Sequence, residues 1–544
     1  MAKKISPVVI ILLFSGFLFF FGLGRMPLTD PDEPFYAETA KEMFERNEWL
    51  TPLIFGQPQF EKPPFYYWTI ILSYKIFGIN EFSSRLSSAL FGILGILGIY
   101  FLGRVLFTEK TGLYSAVSMA ISIEYIILAR ACVTDMALSV FITFTFLFYL
   151  MGYMKGHRKL FYILSACFAA LAVLTKGPVG LVLPVAVVGL YLIFKKDLKS
   201  LIKFPFVSGG LVFILVALPW YYMMYKAHGT DFTGHFFGFQ NITRFLHPEH
   251  RSGDVFYYYL PIILGGFYPC SIFLPYGGYK LRKDYRLNTA PYLFLIIWIS
   301  VFLVFFSVSR TKLPTYIFPL FPALAVIIGR FLDINFQSVK FEKPEIVSAI
   351  IFLFSLPVGL VVFYALALRK YPLMVPAILN TGVSVLIFVA ISMVCLLKKK
   401  KGLFYGSIVL VMTSVLASLV IFLSVPIGQY ESSRYFADEI RARMGPRDRI
   451  GGETDYQRGL AFYLGREDVV DIHPHHIMTS FFDSTERVWG VIKEKNHVFL
   501  YTDKRQPFWR PTYVLYKFGK KVLVTNIIPE DGKYIKKRSI DEPF

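Results

Sequence analysis

FEKPPFYYWTIILSYKIFG, residues 60–78, is the stretch on which the fold turns. From Phe65 onward it is apolar enough to pass for a membrane span, yet it is short and it opens on Lys62-Pro63-Pro64. Other apolar blocks lie near 7–23, 84–106, 111–129, 133–154, 160–175, 178–194, 203–226, 257–277, 290–308, 313–333, 346–367, 374–397 and 403–426. Many approach the roughly 20 residues that a helix needs to cross a bilayer. With 55% hydrophobic residues, the chain of 544 reads as a membrane protein before any motif is considered.

Whether 64–78 spans decides the side on which every later loop lies. Lys3 and Lys4 put the N-terminus in the cytoplasm. The first block continues through Phe17-Leu18-Phe19-Phe20-Phe21 without a small-residue cleavage site and is read as a retained helix. If 64–78 stays out of the membrane, the basic loops at Arg104/Lys110, 155–159, 195–199, 280–286 and 398–401 all face the cytoplasm, together with 331–345. That is what the positive-inside rule requires; if 64–78 spanned, the same loops would face outward. The expectation is therefore about thirteen spans, with 64–78 a helix on the outer surface and the chain leaving the membrane outward at Pro426.

The net charge of +20 would suggest nucleic acid in a soluble protein. Here the basic residues sit in short loops between spans, where they set orientation, and nucleic-acid binding is not expected. Cys132, Cys167, Cys270 and Cys395 are widely spaced and form neither a disulfide framework nor a metal pattern. The tail, 430–544, is polar. A helix over 432–444 and strands over 449–453, 469–472, 497–502 and 521–525 predict a small α/β domain outside the membrane, following a transmembrane domain over 1–429.

Two outward loops, 24–83 and 227–256, are too long and too rich in charge and aromatics to be simple connectors. The first carries Asp30-Pro31-Asp32-Glu33 ahead of 34–49, which reads as an amphipathic surface helix. Carboxylates at a helix start can simply cap it. Asp135 follows Arg130 at the start of one span, Lys176 lies between two others, Arg244 lies in the second loop, and 309–316 opens another span. Singly, each can be a cap or a snorkelling end. Jointly, acidic and basic groups from five segments share one membrane face, which is how a site between helices is built.

Three motifs carry a resemblance. They are Asp30-Pro31-Asp32-Glu33 with Tyr36-Ala37-Glu38, Phe60-Glu61-Lys62-Pro63-Pro64, and Lys312-Leu313-Pro314-Thr315-Tyr316 followed by Pro319 and Pro322. Together they closely resemble the integral-membrane glycosyltransferases of the protein O-mannosyltransferase-like superfamily, of GT-C fold, on the branch of the lipid A aminoarabinose transferases. The resemblance covers nearly the whole chain. It implies a polytopic α-helical fold with periplasmic juxtamembrane helices and a small C-terminal α/β domain. It implies that Asp32 is the catalytic acidic residue, with Glu33 beside it in the motif, and that Asp135 supports the site. Lys62, Arg244 and Tyr316 would bind the carrier-lipid phosphate. Glu61 would hold a divalent metal together with a histidine of the second loop. Around Arg244 this chain reads Phe239-Gln240-Asn241-Ile242-Thr243 where the aminoarabinose branch has histidines, with His235 before and His247 and His250 after. That departure bears on the metal and the substrate more than on the fold.

Outside the cytoplasm there are no nucleotide sugars, so the donor expected is a sugar already joined to a polyprenyl phosphate, and no nucleotide takes part. Lys62 and Arg244 suit the negative charge that grows on the leaving phosphate. Asp32 suits the base that an acceptor hydroxyl needs, and direct attack would invert the anomeric carbon. The acceptor can be lipid A, another glycolipid, a polysaccharide or protein serine/threonine. The rival from another class is a sugar or lipid transporter, which would carry ionisable or broken-helix features near mid-membrane. His473-Pro474-His475-His476 in the tail can bind metal or be an exposed loop.

Overall fold

The computed structural model describes residues 6–154, 156–246, 255, 257–502, 510–528 and 534. His247 and His250 fall outside them. Among the described residues, nine helices are long and apolar enough to cross a membrane, or up to eleven if two bent pairs each count as one span. Two shorter apolar helices, Pro7–Phe20 and Val179–Phe194, complete the set, and each apolar block expected to span, 64–78 apart, falls on one of these helices or bent pairs.

The bent pairs are Glu109–Ala120 with Ile123–Ala129, at 71°, and Tyr259–Gly266 with Cys270–Lys280, at 105°. Their breaks meet. The Ile123 backbone N–H, freed by the first break, donates to the Tyr268 carbonyl in the second at 3.2 Å. In a bilayer such groups find no water, so two broken helices that satisfy each other are a stable solution where one alone is not.

Helix Phe65–Phe77 has 13 residues. At 1.5 Å per residue it is about 20 Å long, short of the roughly 30 Å hydrocarbon core. Tyr66, Tyr67, Ile70, Ile71 and Tyr74 are buried against the protein, while Leu72, Ile76 and Phe77 are exposed.

The segment expected as an amphipathic surface helix over 34–49 is helix Asp32–Glu45, and it is not at the surface: Glu33 through Met43 are all buried. Its charges are satisfied inside the protein. Glu38 pairs with Lys41 at 3.1 Å, and Glu42 accepts from the backbone N–H groups of Phe55 and Gly56 at 2.6 and 2.9 Å. Polar composition signalled solvent, whereas the residues form a buried network.

The C-terminal segment folds around a five-stranded sheet in the order Val470–Asp471, Arg449–Gly452, Val488–Lys493, Lys521–Thr525, Tyr513–Phe518. The first three strands are parallel and the last two pair antiparallel, with Ile450 opposite Trp489 and Gly490 opposite Val524. One face packs Phe436, Leu460, Trp489 and Leu523; the other packs Ile472, Phe482, Val488 and Val524. Because both faces are covered, Val488–Lys493 reads as an unbroken apolar run with no alternation to betray it. The strand expected over 497–502 is instead part of helix Glu494–Thr502. His497 and Leu500, three apart, turn to the same buried side, and Glu494 supports the helix start. The helix expected over 432–444 is Arg434–Arg441.

Candidate functional site

Lys62 reaches the site through a rigid connector. A two-stranded hairpin, Leu53–Ile54 with Gln57–Pro58, precedes it, and Pro63-Pro64 lead straight into helix Phe65–Phe77. Gln59 donates to the Tyr67 hydroxyl at 2.8 Å and accepts from the Glu61 N–H at 3.0 Å, which fixes the turn. Phe60 packs against Phe232 and the His228 ring, with centroids 5.7 and 5.1 Å away.

Asp135 is the first residue of helix Asp135–Met154, and Lys176 is the last of helix Lys159–Lys176. The two helices pack against each other, so the favourable charge at each helix end meets its opposite. Lys176 Nζ lies 2.6 Å from Asp135 Oδ1 and 5.0 Å from the centre of the Tyr316 ring. Tyr316 sits in the short 3-10 stretch Pro314–Leu320. Arg244 follows the wide turns of Gly234–Thr243 and donates to Gln240 Oε1 at 2.7 Å.

Glu61, Lys62, Asp135, Lys176, Arg244 and Tyr316 all line one cavity of ≈ 230 Å³. Val179, Val182, Phe305 and Phe306 form apolar wall beside them. A cationic, phenol-bearing cavity with an apolar flank is suited to an amphipathic anion. The electrostatics agree: burial, above all, brings the Lys62 ammonium down to about 8, with Lys176 and Arg244 adding to the effect against Glu61 and Asp135. The shift is chiefly one of desolvation, with charges of both signs acting on the ammonium.

The acidic motif divides three ways. Asp32 is exposed and does not line the cavity. It stands among protein mass that raises its carboxyl pKa, an effect that Asp135 strengthens and Arg458 and Lys176 oppose, so it is within electrostatic reach of the site. Glu33, expected beside Asp32 in the chemistry, is turned away from it. One oxygen accepts from Arg85 Nε at 2.7 Å and the Cys132 N–H at 2.9 Å; the other accepts from Arg85 Nη2 at 2.6 Å and the Thr29 N–H at 2.9 Å. Burial pushes that carboxyl upward, but these donors outweigh it and its pKa is lowered. Glu33 is a buried clamp on the loop. Asp30 faces the C-terminal segment, accepting from Ser433 Oγ at 2.7 Å and Lys521 Nζ at 2.9 Å. Asp30 and Asp32 therefore do not converge on one point.

Glu61 lines the cavity, but among the described residues no three His, Cys, Asp or Glu side chains gather as a metal would need. His228 is engaged with Thr51 Oγ1 at 2.9 Å, and His235 packs edge-on to Phe60. The described residues thus do not fit a metal centre at Glu61. In the tail, His475 packs on Phe499 with ring centroids 4.7 Å apart.

Residues 61–223 match the model of a family described as dolichyl-phosphate-mannose-protein mannosyltransferase. An uncharacterised protein of Aquifex aeolicus is 36% identical over 331 residues, 60% of this chain and 73% of its own length. An undecaprenyl phosphate-alpha-4-amino-4-deoxy-L-arabinose arabinosyl transferase of Shewanella sediminis is 32% identical over 340 residues, 62% of this chain; the match spans 61% of that relative's length. The crystal structure of ArnT from Cupriavidus metallidurans bound to undecaprenyl phosphate superimposes with a TM-score of 0.78 at 24% identity, covering 96% of this chain and 98% of that one. The chain has the GT-C fold.

Two residues of this GT-C protein escaped the sequence reading. Arg85 sits in the first turns of helix Glu81–Leu106 and is almost fully buried. An ionisable residue just inside a span is a signal in itself, since it needs a partner there, and Glu33 is that partner. Arg458 lies in helix Thr454–Leu464 of the C-terminal segment, beside the acidic motif. No local pattern marks it, because its neighbours come from the far end of the chain.

Proposed function

We propose that this GT-C protein transfers a sugar from a polyprenyl-phosphate carrier, of the undecaprenyl type, to a glycolipid acceptor such as lipid A. The reaction takes place at the outer face of the inner membrane. The observation that carries the reading is the convergence of Lys62, Arg244 and Tyr316 on one cavity with the Lys176–Asp135 pair. The relatives named for undecaprenyl-phosphate chemistry support the choice of carrier.

In this reading the donor phosphate lies among Lys62, Arg244 and Tyr316. The acceptor oxygen gives its proton to the Asp32 carboxylate and attacks the anomeric carbon. The bond from that carbon to the carrier oxygen breaks, and the electron pair stays on the phosphate. Lys62 and Arg244 meet that charge already in place, with no reorganisation at the moment of reaction. Lys176 holds Asp135 and lies over Tyr316, which keeps the phenol aimed. One displacement inverts the anomeric centre. The steps are assigned to side chains alone, and no nucleotide enters.

Asp32→Asn tests the base. Asn caps a helix nearly as well as Asp but cannot take the proton. Turnover should fall by about two powers of ten or more, with thermal stability and undecaprenyl-phosphate binding unchanged. Near-normal turnover would remove Asp32 as the base and leave Asp135 as the candidate, since Glu33 is fully committed to Arg85, Thr29 and Cys132.

A further inference from the structure

Helix Thr454–Leu464 lies directly on helix Asp32–Glu45. Its Gly459 passes close to the loop ahead of that helix: a Cβ there would stand 2.3 Å from Asp30 Oδ1 and 2.9 Å from Ser433 Cβ. One residue earlier, half-buried Arg458 holds its guanidinium carbon 4.6 Å from the centre of the Phe35 ring. Phe35 is three residues from Asp32, on the same helix. Other arginines of the C-terminal segment are paired with carboxylates: Arg434 with Glu81, Arg441 with Asp438, Arg466 with Asp468 and Arg487 with Asp448. Arg458 makes no hydrogen bond and no ion pair within 4.0 Å among the described residues, although its charge acts on Asp32. It is nonetheless held in place by a ring on one face and by its docked helix.

We propose that Arg458 is an acceptor-binding residue: it holds a phosphate group of the acceptor so that the acceptor's nucleophilic oxygen meets Asp32. This rests on the glycosyl transfer proposed above and adds the charge class of the acceptor and the C-terminal segment's part in the site. A guanidinium stacked on an aromatic ring keeps its N–H edge for a ligand, and that edge matches two phosphate oxygens at once. The carrier phosphate has its own cations, Lys62 and Arg244, in the cavity. The charges of Arg458 and of Lys176 both reach Asp32. Two anionic substrates thus have separate cations, with the base exposed to both.

The test uses the full chain in lipid nanodiscs with an undecaprenyl-phosphate-linked sugar and two acceptors, phosphorylated lipid A and the same lipid A after phosphatase treatment. Arg458→Met keeps an apolar side chain over Phe35 and removes the charge. It should raise KM for phosphorylated lipid A by about tenfold or more, the scale of one charge-assisted contact, while the Kd for undecaprenyl phosphate and the Tm stay at wild-type values. Arg458→Lys should recover part of the loss. Wild type should prefer the phosphorylated acceptor, and Arg458→Met should lose that preference. Unchanged acceptor KM in Arg458→Met, or a wild type indifferent to the phosphate, would overturn the inference while leaving glycosyl transfer standing. A fall in Tm with weaker undecaprenyl-phosphate binding would make Arg458 a packing residue only. A wild type that binds no undecaprenyl phosphate and transfers to neither acceptor would overturn the transfer reading itself.

Discussion

Lys62 and Arg244 make the sharpest residue-scale demand on the proposal. If they hold the carrier phosphate, Lys62→Ala and Arg244→Ala each weaken donor use, and Lys62→Arg restores only part of it because a planar fork does not occupy the place of a compact ammonium. Normal donor affinity and turnover in both alanine variants would make them ordinary snorkelling residues. The pH dependence has a definite sign. Lys62 is charged below about 8 and loses its proton as pH rises through that value, so kcat/KM for the donor should be level below about 8 and decline above it. Lys62→Arg should abolish the decline, since arginine stays charged throughout. A profile that declines equally in that variant would assign the titration elsewhere. Lys62, Asp135, Arg244 and Tyr316 were legible in the sequence because motif and membrane side marked them together. Arg85 and Arg458 were not, because what defines each is a partner in another segment: Glu33 for the one, Phe35 for the other.

Among the elements, helix Phe65–Phe77 sets the topology. Thirteen residues cannot cross unaided, and its apolar outer side, with Leu72, Ile76 and Phe77 exposed, suits a helix lying in the interface. A cysteine introduced at Lys62 and others in the 430–528 segment should react with an impermeant thiol reagent added outside, whereas one at Lys283 should be protected until the inner face is opened. Opposite labelling of Lys62 and the C-terminal segment would break both the topology and the site. Sequence periodicity found the helix at Asp32–Glu45 but not its burial, because its polar residues turn inward to partners, and it failed at 497–502, where a valine- and aromatic-rich stretch is helical. It succeeded at Arg449–Gly452 and Lys521–Thr525, where short buried runs between polar turns leave no competing period.

For the whole molecule, hydropathy located the spans because each must be apolar over a length that the bilayer fixes. It could not show the 71° and 105° bends, which depend on two breaks meeting across the fold, nor the docking of the C-terminal segment through Asp30, Ser433 and Lys521. Both matter to function: the docked segment brings Arg458 to the acidic helix, and the spans and outer loops together bring Lys62, Asp135, Arg244 and Tyr316 to one cavity. The central claim is that the assembled molecule moves a sugar from carrier lipid to acceptor. The most direct measurement is mass spectrometry of both lipids after purified protein has acted on undecaprenyl phosphate-linked aminoarabinose and lipid A. One undecaprenyl phosphate freed for each sugar gained by lipid A is the predicted result; bound carrier lipid that keeps its sugar, or sugar released without appearing on the acceptor, would contradict it.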